Sequence, residues 1–449
     1  MAAAKIVNLR GDLFATAASF ALQAVIRLGS SMILTRFLNP EAYGIITIIL
    51  SIAFVIELLA DINVTLFIIR DENGEQPRYL NTAWTMRLGR AALNSAVLFI
   101  FAPVIASWIY QLPALTVPLR VFSVAFIVGA LQSMSFAVAI RRKQARITMY
   151  SDLVSTLLST AFTLVYCYYS RDYWGIVYGM LLQKALMSAL SYLFFRELRP
   201  KLQFDWAAAR QILGFTKFVM PSSLLTLASS QFDKIVFLRL FDLQLLGVYG
   251  LAGNIAGHVE TLITKISQSV LYPRCAHNFR TDPENSTLKY YTENVKLFTI
   301  ILVLPAAFCG AAQLIVSVLY PAGYSQAGTV LQAFMVRAAL LALASPSEDL
   351  LIASGEYQVI LHGNVFRTIG MIVGSLFGYY FFGFIGFIYG TALSALPPLV
   401  YYLWLQRKKG MLITKYEVYK AAFVLSAAAC AYGASRLLLG IWPVVRIRI

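Results

Sequence analysis

The sequence predicts an all-α polytopic membrane protein, with about 12–14 transmembrane helices in two pseudo-symmetric six-helix lobes. Three observations predict it: a scarcity of charge, a row of long apolar runs, and a motif that returns in the second half of the chain. Of the 449 residues, 59% are hydrophobic and only 13% are charged, and the mean hydropathy is +0.70. A soluble domain carries about 25% charged residues. A bilayer removes the need for that charge, because lipid solvates apolar side chains directly.

A spanning helix needs roughly 20 mostly apolar residues. Runs of that kind cover residues 12–35, 44–62, 80–109, 119–140, 148–169, 174–195 and 211–238. They continue over 246–270, 292–319, 327–353, 360–381, 384–406 and 416–440. The tail from Trp442 is too short for a further span. The expected organisation is an N-terminal lobe over 1–200, a C-terminal lobe over 201–409, and an extra helix with its tail over 410–449.

The intervening segments alternate in charge. One set holds Lys5 and Arg10, Arg70 and Arg78, and Arg141, Arg142, Lys143 and Arg146. It continues with Arg196, Arg199, Lys201 and Arg210, then Arg274, Arg280 and Lys289, then Arg407, Lys408, Lys409 and Lys415. The other set holds little beyond Arg36, Arg120, Arg171 and Arg239. Lys and Arg concentrate on the cytoplasmic side of bacterial inner membranes, so the first set and the N-terminus are expected there. The same bias accounts for the net charge of +16. Nucleic-acid binding would also give positive charge, but not apolar runs between the charges. The four cysteines are scattered and only three histidines are present, so no disulfide framework, metal site or cofactor is expected. The N-terminus shows no cleavage pattern after a short apolar core, so no removable signal peptide is expected. No external loop is long enough to hold a catalytic domain, so the chain is not expected to be an enzyme.

The internal repeat is legible at an offset of 203 residues. The segment Ile33 to Gly44 matches Val236 to Gly247, so that Arg36 meets Arg239, Gly44 meets Gly247, and Glu57 meets Glu260. An even number of helices per repeat gives both halves the same orientation, as in transporters built from parallel repeats. Arg36 and Arg239 sit where a cation favours the last carbonyls of a helix. Gly44 and Gly247 permit a tight entry into the next helix.

Ionisable residues inside spans are costly and usually face a partner or a cavity. The candidates include Arg27, Glu57, Asp61, Arg87, Arg90, Asp152, Lys184, Lys217, Asp233, Lys234, His258, Glu260, Lys265, Arg337, Glu348, Asp349 and Arg367. Structure or topology explains many of these, because Arg87, Arg90, Lys217 and Lys265 lie where a long side chain can snorkel. Arg27 is the hardest to explain that way, being near the middle of its span. Lys234 and Arg337 are the next most central cations, and Glu57 and Glu260 could pair with them across the lobe interface. The expected cargo site is therefore cationic: Arg27, Lys234, Arg337, Arg87 and Arg90. Such a chamber suits a phosphate or pyrophosphate head group, which Arg binds in a fork, and suits a cationic drug badly. Glu57 and Glu260 are the possible coupling carboxylates for H+ or Na+, with membrane potential as another drive.

Several segments resemble Wzx-type polysaccharide flippases, within the superfamily that also holds the MATE exporters and the lipid II flippases. They are Leu34 to Gly44 with the Asp61 region, Ile140-Arg141-Arg142, and Phe204-Asp205-Trp206 with Leu213-Gly214-Phe215. Asp233-Lys234-Ile235 to Gly247-Val248-Tyr249 and Ser267 to Pro273 complete the set. The resemblance runs over roughly residues 8 to 410. It implies two six-helix lobes in a V, alternating access, and export of undecaprenyl-pyrophosphate-linked oligosaccharide repeat units for surface polysaccharide synthesis. A polysaccharide polymerase and chain-length proteins are the implied partners. Members often have fourteen helices, whereas this chain looks shorter at its C-terminus. The alternatives are a MATE-like cation-coupled drug antiporter and, in another class, a membrane polymerase or ligase.

Overall fold

The computed structural model describes residues 9–59, 64–142, 144–193, 199–216, 231–234, 236–237 and 240–446, apart from some side chains near the two ends of the chain and at a few other positions. Asp61, Lys217 and Arg239 lie outside these residues, and with them those parts of the site and repeat expectations. The described secondary structure is helical throughout, with no strand among the described residues. Eight stretches among them are long and apolar enough to cross a bilayer. One of the eight, Gln358–Lys408, is 51 residues long and holds two of the expected spans.

The residues gather into two compact units, Met1–Leu224 and Leu225–Ile449. The first contains α1 (Leu9–Phe37), α2 (Pro40–Leu59), the short α3 (Val64–Arg70), α4 (Pro77–Val104) and α5 (Thr116–Ala130). It continues with the short α6 (Ser135–Arg141), α7 (Ala145–Ser170), α8 (Trp174–Ser191) and α9 (Trp206–Thr216). Helix α1 packs on α7, α4 on α5, α7 on α8, and α9 on α3 and α4. Val64, Phe67, Ile68, Leu80, Trp84, Met134, Val138 and Ile212 form a closed apolar core where α3, α4, α6 and α9 meet.

The basic residues expected on the cytoplasmic side brace that core. Arg141 donates to the carbonyls of Ile68 at 2.7 Å and Glu72 at 3.0 Å, and to that of Asp71. It thereby satisfies the chain ends that α3 leaves open. Arg142 holds the Glu75 carboxylate through Nη2 at 2.8 Å and Nε at 3.1 Å. These contacts keep the Glu75 carboxyl below its usual range, the Arg142 hydrogen bond being the main cause. Arg78 meets Asp205 at 2.6 Å, and Asp205 in turn accepts from the Ala208 N–H at 2.9 Å in the first turn of α9. The sequence read these arginines as topological signals alone. They are also structural.

The second unit contains α10 (Leu243–Ile266), α11 (Tyr272–Thr281), α12 (Ser286–Glu293), α13 (Val295–Leu319) and α14 (Ala327–Ala353). It ends with α15 (Gln358–Ala392), α16 (Leu396–Lys408) and α17 (Thr414–Arg446). Helix α15 folds back on itself at Gly383, whose φ of 59° is open to glycine at little cost. Its arms touch backbone to backbone. A Cβ on Gly374 would sit 2.8 Å from the Gly390 carbonyl, and Gly378 and Gly386 face each other in the same way. This hairpin is why the 51-residue stretch carries two spans. Helix α17 runs on to Arg446, so Trp442 to Arg446 continue a helix instead of forming a tail. It packs along α13 and is pinned at its start by Lys420. That ammonium is only 3% exposed, 2.5 Å from Glu417 and 4.8 Å from the Phe298 ring centre.

The expected repeat has a counterpart in local geometry. Asn39 Oδ1 accepts from the Ala42 N–H at 3.0 Å as α2 begins. Asp242 Oδ1 accepts from the Leu245 N–H at 2.7 Å as α10 begins. Both are side-chain caps on the third amide of a helix, and both residues of each pair match at the repeat offset. Gly44 and Gly247 are buried one turn on. Pro103 and Pro305 both lie inside long helices, α4 and α13.

Candidate functional site

In the second unit the structure brings several of the expected residues together. Arg337 lies in mid-α14, and its Nε donates to Glu260 Oε1 at 2.8 Å, each side chain being 23% exposed. The Phe334 ring, one turn earlier on α14, lies under the guanidinium at 4.7 Å. Tyr249 and Glu260 are three turns apart on α10 and so share a face. Tyr249 Oη donates to Asp233 Oδ2 at 2.5 Å, and its ring packs against Phe237 and Phe334 at 4.6 and 4.9 Å. Lys234 Nζ donates to Gln231 Oε1 at 3.4 Å.

Two consequences follow. Glu260 finds its cation inside its own unit, so the pairing expected across the lobes is not the one this carboxylate makes. The charges of the cluster also balance, with Asp233 and Glu260 against Lys234 and Arg337. Yet the ion pair uses only Nε of Arg337. Among the described residues, neither Nη1 nor Nη2 has a hydrogen-bond partner. Glu260 therefore orients the guanidinium while leaving its two-pronged edge open, and that edge is the part that grips phosphate oxygens.

In the first unit the cations separate into two kinds. Arg87 is committed to the end of α5: it donates to the Ala130 carbonyl at 3.1 Å, the Gly129 carbonyl at 3.4 Å and the Gln132 carbonyl. A cation there satisfies the last carbonyls and the helix dipole, which is a structural use of the side chain. Arg90 lies one turn further along α4, half-buried and within electrostatic reach of Arg87. Arg27 differs from both. Its side chain is exposed in mid-α1, and among the described residues it makes no hydrogen bond or ion pair. Glu57 is likewise exposed on α2. Arg36 is exposed at the end of α1, in the helix-end position its repeat role called for.

An arginine held against lipid at mid-span costs about 2.5–3.5 kcal/mol even on the mildest scales. The exposed face of α1 at Arg27 is thus favoured to meet water or a polar partner over acyl chains. Within the second unit, the open edge of Arg337 is the group suited to an anion. Among the described residues no group of His, Cys, Asp and Glu side chains is placed to hold a metal ion. The sequence reading did not single out Tyr249 and Phe334 as part of the cluster. Tyr249 stands in the segment Asp233 to Tyr249 that carries the resemblance, without a role assigned to it there, and Phe334 is signalled by its helical spacing from Arg337.

A match to the family described as polysaccharide biosynthesis protein covers residues 33–329. The chain belongs to this polysaccharide biosynthesis family. Its relatives include the lipopolysaccharide biosynthesis protein WzxC of Escherichia coli K12, 22% identical over 400 residues, which span 86% of this chain and 79% of WzxC. The amylovoran biosynthesis protein AmsL of Erwinia amylovora is 24% identical over 60% of this chain and 69% of its own length. Among solved structures, the lipid II flippase MurJ in an inward closed conformation superposes with a TM-score of 0.67 at 12% identity, covering 96% of this chain and 99% of MurJ. An inward-facing multidrug resistance MATE transporter of the MOP superfamily gives a TM-score of 0.63 at 14% identity, covering 87% of this chain and 95% of that one. The fold is accordingly the one these two solved structures share, an all-helical membrane fold as expected.

Proposed function

We propose that this family member is a flippase and not an enzyme. It moves undecaprenyl-pyrophosphate-linked oligosaccharide repeat units from the cytoplasmic to the periplasmic leaflet of the bacterial inner membrane, by alternating access, with its N-terminus in the cytoplasm. The observation that carries this reading is the pair of available guanidinium groups, Arg27 exposed in mid-helix and Arg337 presenting its open edge. Both fit the oxygens of a pyrophosphate, and neither fits a cationic drug. The names of the polysaccharide-biosynthesis relatives and of the MurJ neighbour point the same way.

The Arg337–Glu260 pair also suggests how cargo and coupling connect. A pyrophosphate that draws Arg337 to itself leaves Glu260 without its cation. The freed carboxylate then gains affinity for H+ or Na+, and releases it when Arg337 returns. Binding at the two groups is linked by one side chain, which is the differential interaction that a coupled cycle needs. Membrane potential is the alternative drive. Polymerase and chain-length proteins are the expected downstream partners.

Arg27→Ala tests the reading in cells. The variant is expected to reach the membrane at the normal level and to abolish surface polysaccharide. Normal polysaccharide together with lost drug tolerance would replace the flippase by an antiporter.

A further inference from the structure

The opposite end of the first unit carries a second feature, made of rings and unpaired polar groups. At the junction of α7 and α8, Trp174 stacks between Tyr173 and Tyr178, with centroids 5.5 Å apart on each side and ring planes within 25°. Tyr166 meets Tyr178 edge-on at 5.6 Å. On one flank lies a hollow of about 430 Å³ walled by Tyr166 and Tyr169. On the other lies a hollow of about 370 Å³ lined by Phe37, Asn39, Glu41, Arg171, Asp172 and Tyr173. Both volumes fall within the roughly 300–1,000 Å³ of small-ligand clefts. The Phe37–Tyr168 contact at 5.6 Å joins the end of α1 to the end of α7. By the alternation of loop charge this is the periplasmic end.

Tyrosine and tryptophan at a membrane boundary commonly form an interfacial belt, and Tyr168 and Tyr169 fit that description. The second hollow does not. Among the described residues, the Glu41, Arg171 and Asp172 side chains have neither a hydrogen-bond nor an ion-pair partner. Arg171 also holds the left-handed cap of α7, at φ 51° and ψ 34°, with its N–H on the Cys167 carbonyl at 2.9 Å. Glycine or asparagine takes that conformation at less cost, so an arginine there is expensive for a cap alone. Strained positions of this kind gather at ligand sites.

We propose that this hollow and its ring stack form a saccharide subsite that takes sugar units of the cargo at the periplasmic end. The proposal rests on the flippase reading. A pyranose has an apolar C–H face and a rim of hydroxyls. Tyr173, the ring of the stack that lines this hollow, offers an apolar surface to the first, and Trp174 backs it. Glu41 and Asp172 accept from hydroxyls, and Arg171 donates to them. Two carboxylates to one arginine repel a pyrophosphate, so the subsite discriminates between the two halves of the cargo. The phosphate end is left to the cations elsewhere, and a neutral sugar is taken here.

The test uses the full chain in nanodiscs, and its probe is the free oligosaccharide released by mild acid from the lipid-linked precursor of the source strain. Saturation-transfer NMR reads binding, and inorganic pyrophosphate serves as competitor. The expected result is binding that pyrophosphate does not displace, weakened at least tenfold by Tyr173→Ala and by Asp172→Asn, and kept by Tyr173→Phe. Equal binding by Tyr173→Ala and wild type would overturn the subsite. So would an absence of binding in a preparation that still flips the intact lipid-linked cargo, and that result would leave the flippase reading standing. Ring-dependent binding in a protein that flips nothing would support the subsite and overturn the transport reading instead.

Discussion

Exchanging the partners of the Arg337–Glu260 pair separates its structural role from its role in binding. At 2.8 Å and an effective dielectric of about 20, the direct attraction is about 6 kcal/mol. Desolvation of each ion costs several kcal/mol, so the intact pair is worth little net. Removing one partner is another matter, because it strands a charge that is only 23% exposed. That loss costs up to about 3–5 kcal/mol. Arg337→Ala and Glu260→Ala should each lower the melting temperature in detergent. The double exchange, Arg337→Glu with Glu260→Arg, restores an ion pair and should recover most of that stability. It should not recover transport, because the guanidinium now springs from α10 and its open edge is displaced. Each charge-assisted hydrogen bond lost to a phosphate oxygen is worth about 1.5–3 kcal/mol, or roughly 10- to 150-fold in cargo affinity. Flipping by reconstituted protein should fall by that order in Arg337→Ala and stay low in the exchanged variant. Recovery of both stability and flipping in the exchanged variant would refute the argument that Arg337 touches cargo.

Three further outcomes are expected. Gly390→Leu pushes a side chain into the Gly374 backbone carbonyl at the α15 hairpin, and overpacking of that kind costs about 1–3 kcal/mol, so the purified protein should melt at a lower temperature, whereas a Leu at the open Gly433 should not change it. Asp242→Ala removes the side-chain cap on the Leu245 amide and should cost about 0.5–2 kcal/mol, as Asn39→Ala should at the matching cap, while Asp242→Asn largely preserves stability. Glu75→Gln tests the Arg142 clamp by pH: a carboxyl held below its usual range contributes stability above the unfolded value near about 4.3 and loses it as pH falls through the folded value. The wild type should therefore exceed the variant by at most about 1 kcal/mol at pH 7, with the difference shrinking in melting curves recorded below the unfolded value and vanishing only once pH passes below the folded one.

The helices were readable because lipid imposes one rule on every span: enough consecutive apolar residues to cross, with the backbone paired inside the helix. The Gly383 reversal was readable for the same reason, since no single span needs 51 residues. The α2 and α10 caps lie inside the matched segments Ile33 to Gly44 and Val236 to Gly247, but their cap role came from the structure. The roles of individual charges were less readable. Arg87 reads as a cation near a span end and Arg337 as a more central one, yet both were expected at the cargo site. One spends its donors on the open carbonyls after α5, the other on a carboxylate 77 positions away in the chain. Only the fold decides which carbonyls and carboxylates come within reach. Lys420 was not singled out for a related reason. It falls in the run over 416–440 beside Glu417, and α17 carries it into a nest of Tyr290, Tyr291 and Phe298.

The central claim is that the chain moves an anionic lipid by its phosphate end. The most direct measurement is flipping in proteoliposomes of two matched cargoes, an undecaprenyl-pyrophosphate-linked oligosaccharide and the same oligosaccharide joined to undecaprenol through a neutral ether. The account predicts rapid movement of the first and, without its phosphates, little of the second, with Arg27→Ala reducing the first to the level of the second. Equal rates for the two cargoes, or indifference of the charged one to Arg27, would contradict it.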